Sequence, residues 1–492
     1  MRAVAVTQRP LLAALALAVA LRLPSLDAPL GNDEAGSALV GASWLHGEHA
    51  AVASARLYGA YWLDRPPLLP LLYGSADLLA GSVGVRLLGM AFAMLLVGLC
   101  WSLARRIAEP SVAAIAAVLT AALASSPTLL GNHTYGELLA AVPATASVLV
   151  LVRVVERPGA RRAAGLAVGA GVLGSCALLV KQSAFDALVV ALVLAGAARL
   201  PRRLTAFGLL GVLAPIAATV AWATTRPVGV PGLWDALVGF RVDVLGAARP
   251  SDAAPGSGMV RLLVPFVLSG LVLLVPLAVL GVRAAGSRWL RVLLATWPLA
   301  VVAGMLGGGF YWPHYLLALV VPLVLPAVLA LDRLPSHVRR GVLVLVVMAS
   351  LAGTWTSRAI PHTGELNDDA RAVGRAVAAR ADPDDELLVL FARPGVVHAA
   401  GLRSASPWLW SAMQPTRPGV HGLLVRRLAG DEPPRWVVRW NEPGAYGLDP
   451  DGTIAVLVAR RYCLRATVAS RTILELCDSL DGSSTAANAP VH

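Results

Sequence analysis

Gly31-Asn32-Asp33-Glu34, closed about thirty residues later by Asp64-Arg65-Pro66-Pro67-Leu68, carries charge where the flanking chain is almost wholly apolar. An adjacent acid pair just after a short apolar helix is costly beside a membrane unless it has a task. Where the pair stands is decided by the rest of the chain.

Of the 492 residues, 57% are hydrophobic and only 14% charged, and the mean hydropathy is +0.69. Soluble domains run nearer a quarter charged, so the composition is that of a polytopic membrane protein. The net charge of +12 does not indicate nucleic-acid binding, because the arginines are dispersed in small clusters between apolar runs. Lys181 is the single lysine. Cys100 and Cys176 fall in apolar segments, and Cys463 and Cys477 in the polar C-terminal region.

The run Leu11 to Leu21 follows a short basic start and lacks a small-residue cleavage site, so it is read as a retained first span. Further apolar runs of bilayer length begin near Val83, Ser111, Glu137, Ala163, Ala184, Leu204, Val260, Leu290, His314 and Gly341. Together they predict about eleven transmembrane helices. Arginine clusters occupy every second connection: Arg105/Arg106, Arg153 to Arg162, Arg202/Arg203, Arg283 to Arg291 and Arg333 to Arg340. The positive-inside rule makes those connections and the N-terminus cytoplasmic, and an odd number of spans puts the C-terminus outside.

The outer side then receives the loop Pro24 to Ser82, the turns Asn132 to Gly136 and Lys181 to Ser183, the loop Thr225 to Gly258, the turn Gly307 to Gly309, and everything after Ser357. Within the first loop, Ala35 to His46 and Leu68 to Leu79 read as helices lying on the outer membrane surface. The predicted organisation is a transmembrane domain over 1–358, an extracytoplasmic α/β domain over 359–478, and a disordered tail over 479–492. In the α/β domain, Leu366 to Arg380 reads as an amphipathic helix. Glu386 to Phe391, Trp436 to Trp440, Thr453 to Val458 and Leu464 to Thr467 read as strands. Cys463 and Cys477 flank a hairpin in an oxidising compartment and form a candidate disulfide, with two free thiols as the alternative. This domain carries no assignable motif and is expected to cover the site or bind acceptor.

The polar residues of the spans collect at their outer ends: Arg86, Glu137, Lys181, Asp186 and His314. With Asp33, Glu34, Asp64 and Arg65 they share one depth, as an active site at the membrane surface would. Plainer readings stand beside this one. Arg86 and Asp186 are read as charges meeting headgroups, the acid pair as a helix cap, and His314 as part of an interfacial aromatic belt. Trp44, Tyr58, Tyr61, Trp62, Tyr311 and Trp312 suit sugar stacking but also suit such a belt.

In order and sidedness, Asn32-Asp33-Glu34-Ala35, Arg65-Pro66-Pro67-Leu68, Glu137-Leu138-Leu139, Lys181 and His314-Tyr315-Leu316 resemble the GT-C glycosyltransferases. The nearest likeness is to the protein O-mannosyltransferases and lipid A aminoarabinose transferases, over residues 11 to about 331. The resemblance implies a GT-C-like fold and an inverting transfer of a sugar, mannose or arabinose by family habit, from a polyprenyl-phosphate donor. The acceptor would be a hydroxyl of a glycan, lipid or protein on the extracytoplasmic face.

On that resemblance Asp33 is the general base, Glu34 its supporting neighbour, and Glu137 a residue that orients acceptor or shares the base's role. Arg65, Lys181 and His314 would meet the donor phosphate, and Tyr61, Tyr311 and Tyr315 the substrate. Arg65 stands where family members carry lysine. Some members use a divalent cation, which Asp33, Glu34 and Glu137 could hold. The competing reading is a lipid or saccharide transporter or flippase. Against it stand the nearly bare span centres and the long outer loop.

Overall fold

A computed structural model of the chain describes residues 2–50, 55–246, 257–307, 311–359, 364–413, 417, 419–442 and 447–477. The chain divides into two compact units, Met1–Asp368 and Asp369–His492. The expected disordered tail, Gly308 and Gly309 of one expected turn, and 247–256 of the outer loop lie outside the described residues.

The first unit is helical. Helix α1 (Arg2–Arg22) is followed by the short α2 (Asn32–Leu45) and the long α3 (Leu68–Ala104), then α4 (Pro110–Ala124), α5 (Gly136–Glu156), α6 (Ala163–Val180) and α7 (Asp186–Ala197). Helix α8 (Arg202–Thr224) leads into two short helices, α9 (Gly229–Trp234) and α10 (Phe240–Gly246). The unit continues with α11 (Ser257–Leu268), α12 (Leu271–Ala284), α13 (Arg288–Gly307), a 3-10 segment Pro313–Leu319, α14 (Val320–Asp332) and α15 (Ser336–Ala359).

Each of the eleven apolar runs forms helix, but the span count is lower than eleven. Among the described residues seven helices are long and apolar enough to cross a membrane, or eight if α11 and α12, bent by 81°, form one broken span. The shortfall is geometric. At 1.5 Å per residue the 15 residues of α4 and the 12 of α7 extend only about 22 Å and 18 Å, short of a hydrocarbon core of about 30 Å. Helix α1 holds Pro10 and ends on Arg22.

Leu68 to Leu79, expected as a separate surface helix, is the first part of α3. The break comes at Ala80 and Gly81, where Gly81 takes a positive φ of 57°. That left-handed conformation carries little penalty for glycine and lets the surface segment turn into the span. Helices α2 and α3 cross with backbone against backbone: a Cβ built at Gly41 would strike Pro70 O, and one at Gly74 would strike Gly41. Small residues permit this approach, and it fixes the second half of α2 against the first part of α3.

The second unit carries α16 (Gly364–Ala378), which begins just before it, β1 (Glu386–Leu390), α17 (Pro394–Ala400), β2 (Arg403–Ser404), α18 (Val420–Ala429), β3 (Trp436–Arg439), α19 (Thr453–Arg461), β4 (Tyr462–Val468) and β5 (Arg471–Leu476). These form a five-stranded mixed sheet in the order β2-β1-β3-β5-β4, with β1 parallel to β2 and β3, and β5 antiparallel to β3 and β4. Thr453 to Val458, expected as a strand, is the helix α19. Its buried residues Ile454 and Val458 stand four apart, and the Asp449 carboxylate accepts the N–H groups of Ile454 and Ala455 at 2.9 Å each. A β-branched run was thus overruled by an N-terminal cap and a helical burial period. Cys463 and Cys477, 5.3 Å apart between Cα atoms, form a disulfide.

Candidate active site

Helix α2 begins with the acid pair because Gly31, in extended conformation, serves as its N-cap and Glu34 sits three residues on. Glu34 turns back to accept the Gly31 N–H at 2.8 Å, half of a capping box. The same carboxylate accepts from Arg86 of α3 at 2.6 Å, from the Thr134 N–H at 2.6 Å, and from His133 Nδ1 at 3.0 Å. Glu34 is fully buried and Arg86 nearly so. Burial alone would raise the Glu34 pKa, but Arg86, His133 and the Thr134 N–H bring it down to about 2. A carboxylate this ionised only accepts, so His133 donates through Nδ1. Burial and the Arg86 charge push the His133 pKa down, leaving a neutral ring. Tyr73 of α3 donates to Thr134 O in the same cluster.

Arg86 therefore does not meet headgroups: it is a buried counter-ion, and its Nη2 also donates to Pro29 O at 2.6 Å. Asp186 likewise lies inside the protein, accepting from Trp297 Nε1 at 2.7 Å.

Asp33, one residue before Glu34, is half-buried. It lies within electrostatic reach of Arg65, His314 and Tyr315. Burial weakens the Arg65 guanidinium's hold on its proton, and the charges of Asp64, Asp33 and Glu137 more than offset this. Arg65 donates to the Asp64 carboxylate, which also accepts from Arg241 of α10. The Asp64 carbonyl accepts from Gln182 Nε2 at 2.8 Å. Gln182 thereby connects the Asp-Arg-Pro-Pro-Leu stretch to the turn after α6.

On the far side of that turn Lys181 donates to Glu137 Oε1, while its Nζ stands 4.3 Å over the Tyr315 ring. His314 Nε2 is 3.7 Å from the same Glu137 oxygen. The His314 ring is buried and lies flat on Tyr135, with centroids 3.9 Å apart and planes 2° from parallel, and its Nδ1 has no hydrogen-bond partner. His314 thus packs inside the protein. Tyr315 is buried beside Lys181. Tyr61, by contrast, is buried in a bridge with Tyr58.

A cavity of about 390 Å³ opens from this cluster, lined at its polar part by Glu137, Lys181, Gln182, Arg241 and Tyr315. Its walls are apolar side chains of α5, α13 and α14, among them Ala141, Val301, Met305 and Val321, and Asp186 at the start of α7 also lines it. Tyr61 and Tyr311 are not among its lining residues. The carboxylates do not suit a divalent cation. Glu34 and Glu137 already face cationic side chains, and among the described residues Asp33, Glu34 and Glu137 do not gather their oxygens into a common ligand set.

The sequence did not single out Arg241, Gln182, Tyr135 or Tyr73. Arg241 sits in what reads as a plain outer loop. The signal that could have drawn attention to it is an arginine within the apolar and aromatic run from Leu233 to Leu245, flanked there by Asp235 and Asp243.

The fold is GT-C-like, a bundle of apolar helices with a small C-terminal sheet. No protein-family profile matches the chain, and no curated protein matches it by sequence. By structure it resembles ArnT from Cupriavidus metallidurans bound to undecaprenyl phosphate, with a TM-score of 0.69 and 16% identity over 96% of this chain and 99% of that one. The apo form of that ArnT superposes at 0.67. The Archaeoglobus fulgidus oligosaccharyltransferase AglB, in complex with an inhibitory peptide and a dolichol-phosphate, matches at 0.50 with 12% identity, over 88% of this chain and 69% of that one. Both are GT-C glycosyltransferases.

Proposed function

We propose that this protein is an inverting glycosyltransferase that takes a sugar from a polyprenyl-phosphate donor and passes it to an acceptor hydroxyl on the extracytoplasmic face of the membrane. The observation that supports this reading is the cavity, apolar along its walls, with the cations Lys181 and Arg241 beside the carboxylates Glu137 and Asp186 at its polar part. Such a lining matches an amphipathic ligand with an anionic head. The ArnT of like fold binds undecaprenyl phosphate and the AglB of like fold a dolichol-phosphate, which supports the same class of donor here.

In this mechanism Arg241 and Arg65 exchange Asp64 for the donor phosphate, and Lys181 meets it through the N–H groups that Glu137 does not take. Charge-assisted bonds of this kind favour the leaving group as its negative charge develops. Asp33 accepts the proton of the acceptor hydroxyl. The hydroxyl oxygen forms its bond to the anomeric carbon as the carbon–oxygen bond to phosphate breaks, and the bonding pair leaves with the lipid phosphate. Attack opposite the leaving group inverts the anomeric centre. Glu137 holds Lys181 in place and, with Tyr315, fixes the direction of its ammonium. Glu34 fixes the start of α2 and hence the position of Asp33.

The test is transfer of radiolabelled sugar from polyprenyl-phosphate donors by purified protein in lipid. Asp33→Asn should abolish transfer while the protein is made and folds normally. Wild-type transfer by that variant would exclude the mechanism. Substrate crossing vesicle membranes without any transfer from a panel of donors would replace it with the transporter reading.

A further inference from the structure

We propose a divalent-cation site in the second unit, formed by His421, Asp449 and Asp451, that takes a zinc-like ion through one imidazole nitrogen and two carboxylate oxygens. His421 lies in the first turn of α18, and the two aspartates in Asp449-Pro450-Asp451-Gly452, which leads into α19. One ligand atom from each residue can be chosen so that all three lie within 4.8 Å of one another.

Two observations separate this trio from an ordinary pair of acids at a helix start. His421 Nε2 faces Asp449 Oδ1 at 3.6 Å and Asp451 Oδ1 at 3.3 Å. The Nε2 atom itself is out of contact with solvent and hydrogen-bonded to neither, while the His421 side chain as a whole is 34% exposed and that of Asp451 59%. An imidazole that merely paired with a carboxylate would close to about 2.7–3.2 Å and point its N–H at one oxygen. The two separations from the imidazole lie close to those of ligands sharing an ion: around tetrahedral zinc at about 2.0–2.1 Å, neighbouring ligand atoms stand about 3.3–3.4 Å apart.

The oxygens are also positioned in advance. Both oxygens of the Asp449 carboxylate, whose side chain is 1% exposed, accept backbone N–H groups of α19, and Asp451 Oδ1 accepts the Thr453 N–H at 3.1 Å. Each carboxylate oxygen has a second lone pair for a cation. The imidazole selects a borderline ion such as zinc over calcium or magnesium, which prefer all-oxygen sets. Three protein ligands leave a further position for water or for an exogenous donor atom. The bound ion would tie α18 to the loop before α19.

The experiment needs no transferase assay. Full-length protein in detergent is stripped with a chelator, loaded with ZnCl2, desalted and assayed for metal by mass spectrometry. One zinc per chain is expected, undisturbed by excess Ca2+, and X-ray absorption at the zinc edge should show nitrogen and oxygen ligation with imidazole scattering. His421→Ala and Asp451→Asn should each lose the ion while melting like the chelated wild type. A wild type that keeps no zinc, variants that keep as much as the wild type, calcium displacing zinc, or an edge spectrum without imidazole would each overturn the proposal. The absorption spectrum is read on the wild type alone, so it decides even if a variant fails to fold.

Discussion

Arg241 reaches the Asp64 carboxylate across 177 residues of sequence, and that same carboxylate also holds Arg65. Two guanidinium groups from distant parts of the chain are thus kept close together by one acid. Their mutual repulsion is offset by the acid between them.

A donor phosphate would compete with Asp64 for both. Arg241→Ala should therefore raise the KM for a polyprenyl-phosphate sugar about tenfold or more, since a hydrogen bond to a charged group contributes about 1.5–3 kcal/mol. Arg241→Lys should recover only part of this, having lost the planar fork. Initial rates over a range of donor concentration separate the two variants, and an unchanged KM in Arg241→Ala would remove this residue from the donor site.

Lys181 is the one place where this chain keeps lysine, and the geometry gives a reason. Its ammonium is held between Glu137 Oε1 and the face of Tyr315, a position that suits a compact point charge. Lys181→Arg should cost most of the turnover and behave more like Lys181→Met than like wild type. Single-turnover transfer rates for the three proteins provide the comparison.

Glu34 and Arg86 should matter for folding rather than for chemistry. Removing one partner of a buried ion pair costs about 3–5 kcal/mol, so Arg86→Met and Glu34→Ala should each melt well below wild type in detergent. The double variant Glu34→Gln/Arg86→Met should recover part of the loss, because no unpaired charge is left buried. A melting profile in which the singles match wild type would refute the role.

The same pair makes stability depend on acid. The Glu34 carboxyl titrates at about 2 in the folded protein against an ordinary value of 4.5. A group more acidic when folded stabilises the fold fully above its unfolded pKa, and its contribution fades as the pH falls from about 4.5 toward about 2. Melting temperature against pH should fall through that window in the wild type and less steeply in Glu34→Gln.

Much of this was legible in the chain. Apolar runs located the long helices of the bundle, because lipid and core both demand apolar side chains over helix-length segments, but not the short α9 and α10. The acid pair, Arg65, Glu137, Lys181 and His314 stood out as polar residues at helix ends. What stayed hidden depended on distance in space. The sequence showed two adjacent acids but not that Glu34 would be claimed by Gly31, Arg86, His133 and Thr134, which leaves Asp33 as the acid of the pair proposed for the chemistry. Arg241 was invisible because its partner lies on another segment. The span count erred at α1, which holds Pro10, and at α4 and α7, where apolar character extends past the ends of the helix, and α19 was misread because its cap comes from Asp449, four residues upstream of Thr453.

The crossing of α2 and α3 at Gly41 and Gly74 has a consequence for how this protein can vary. Neither glycine touches the cavity, yet any side chain at either position meets backbone that has no room to give. In a saturation screen scored on sugar transfer, these two chemically silent positions should tolerate as little as the acid they hold in place. A map of intolerance drawn from such a screen would therefore extend along the α2–α3 seam, away from the reacting atoms, tracing the scaffold as plainly as the site.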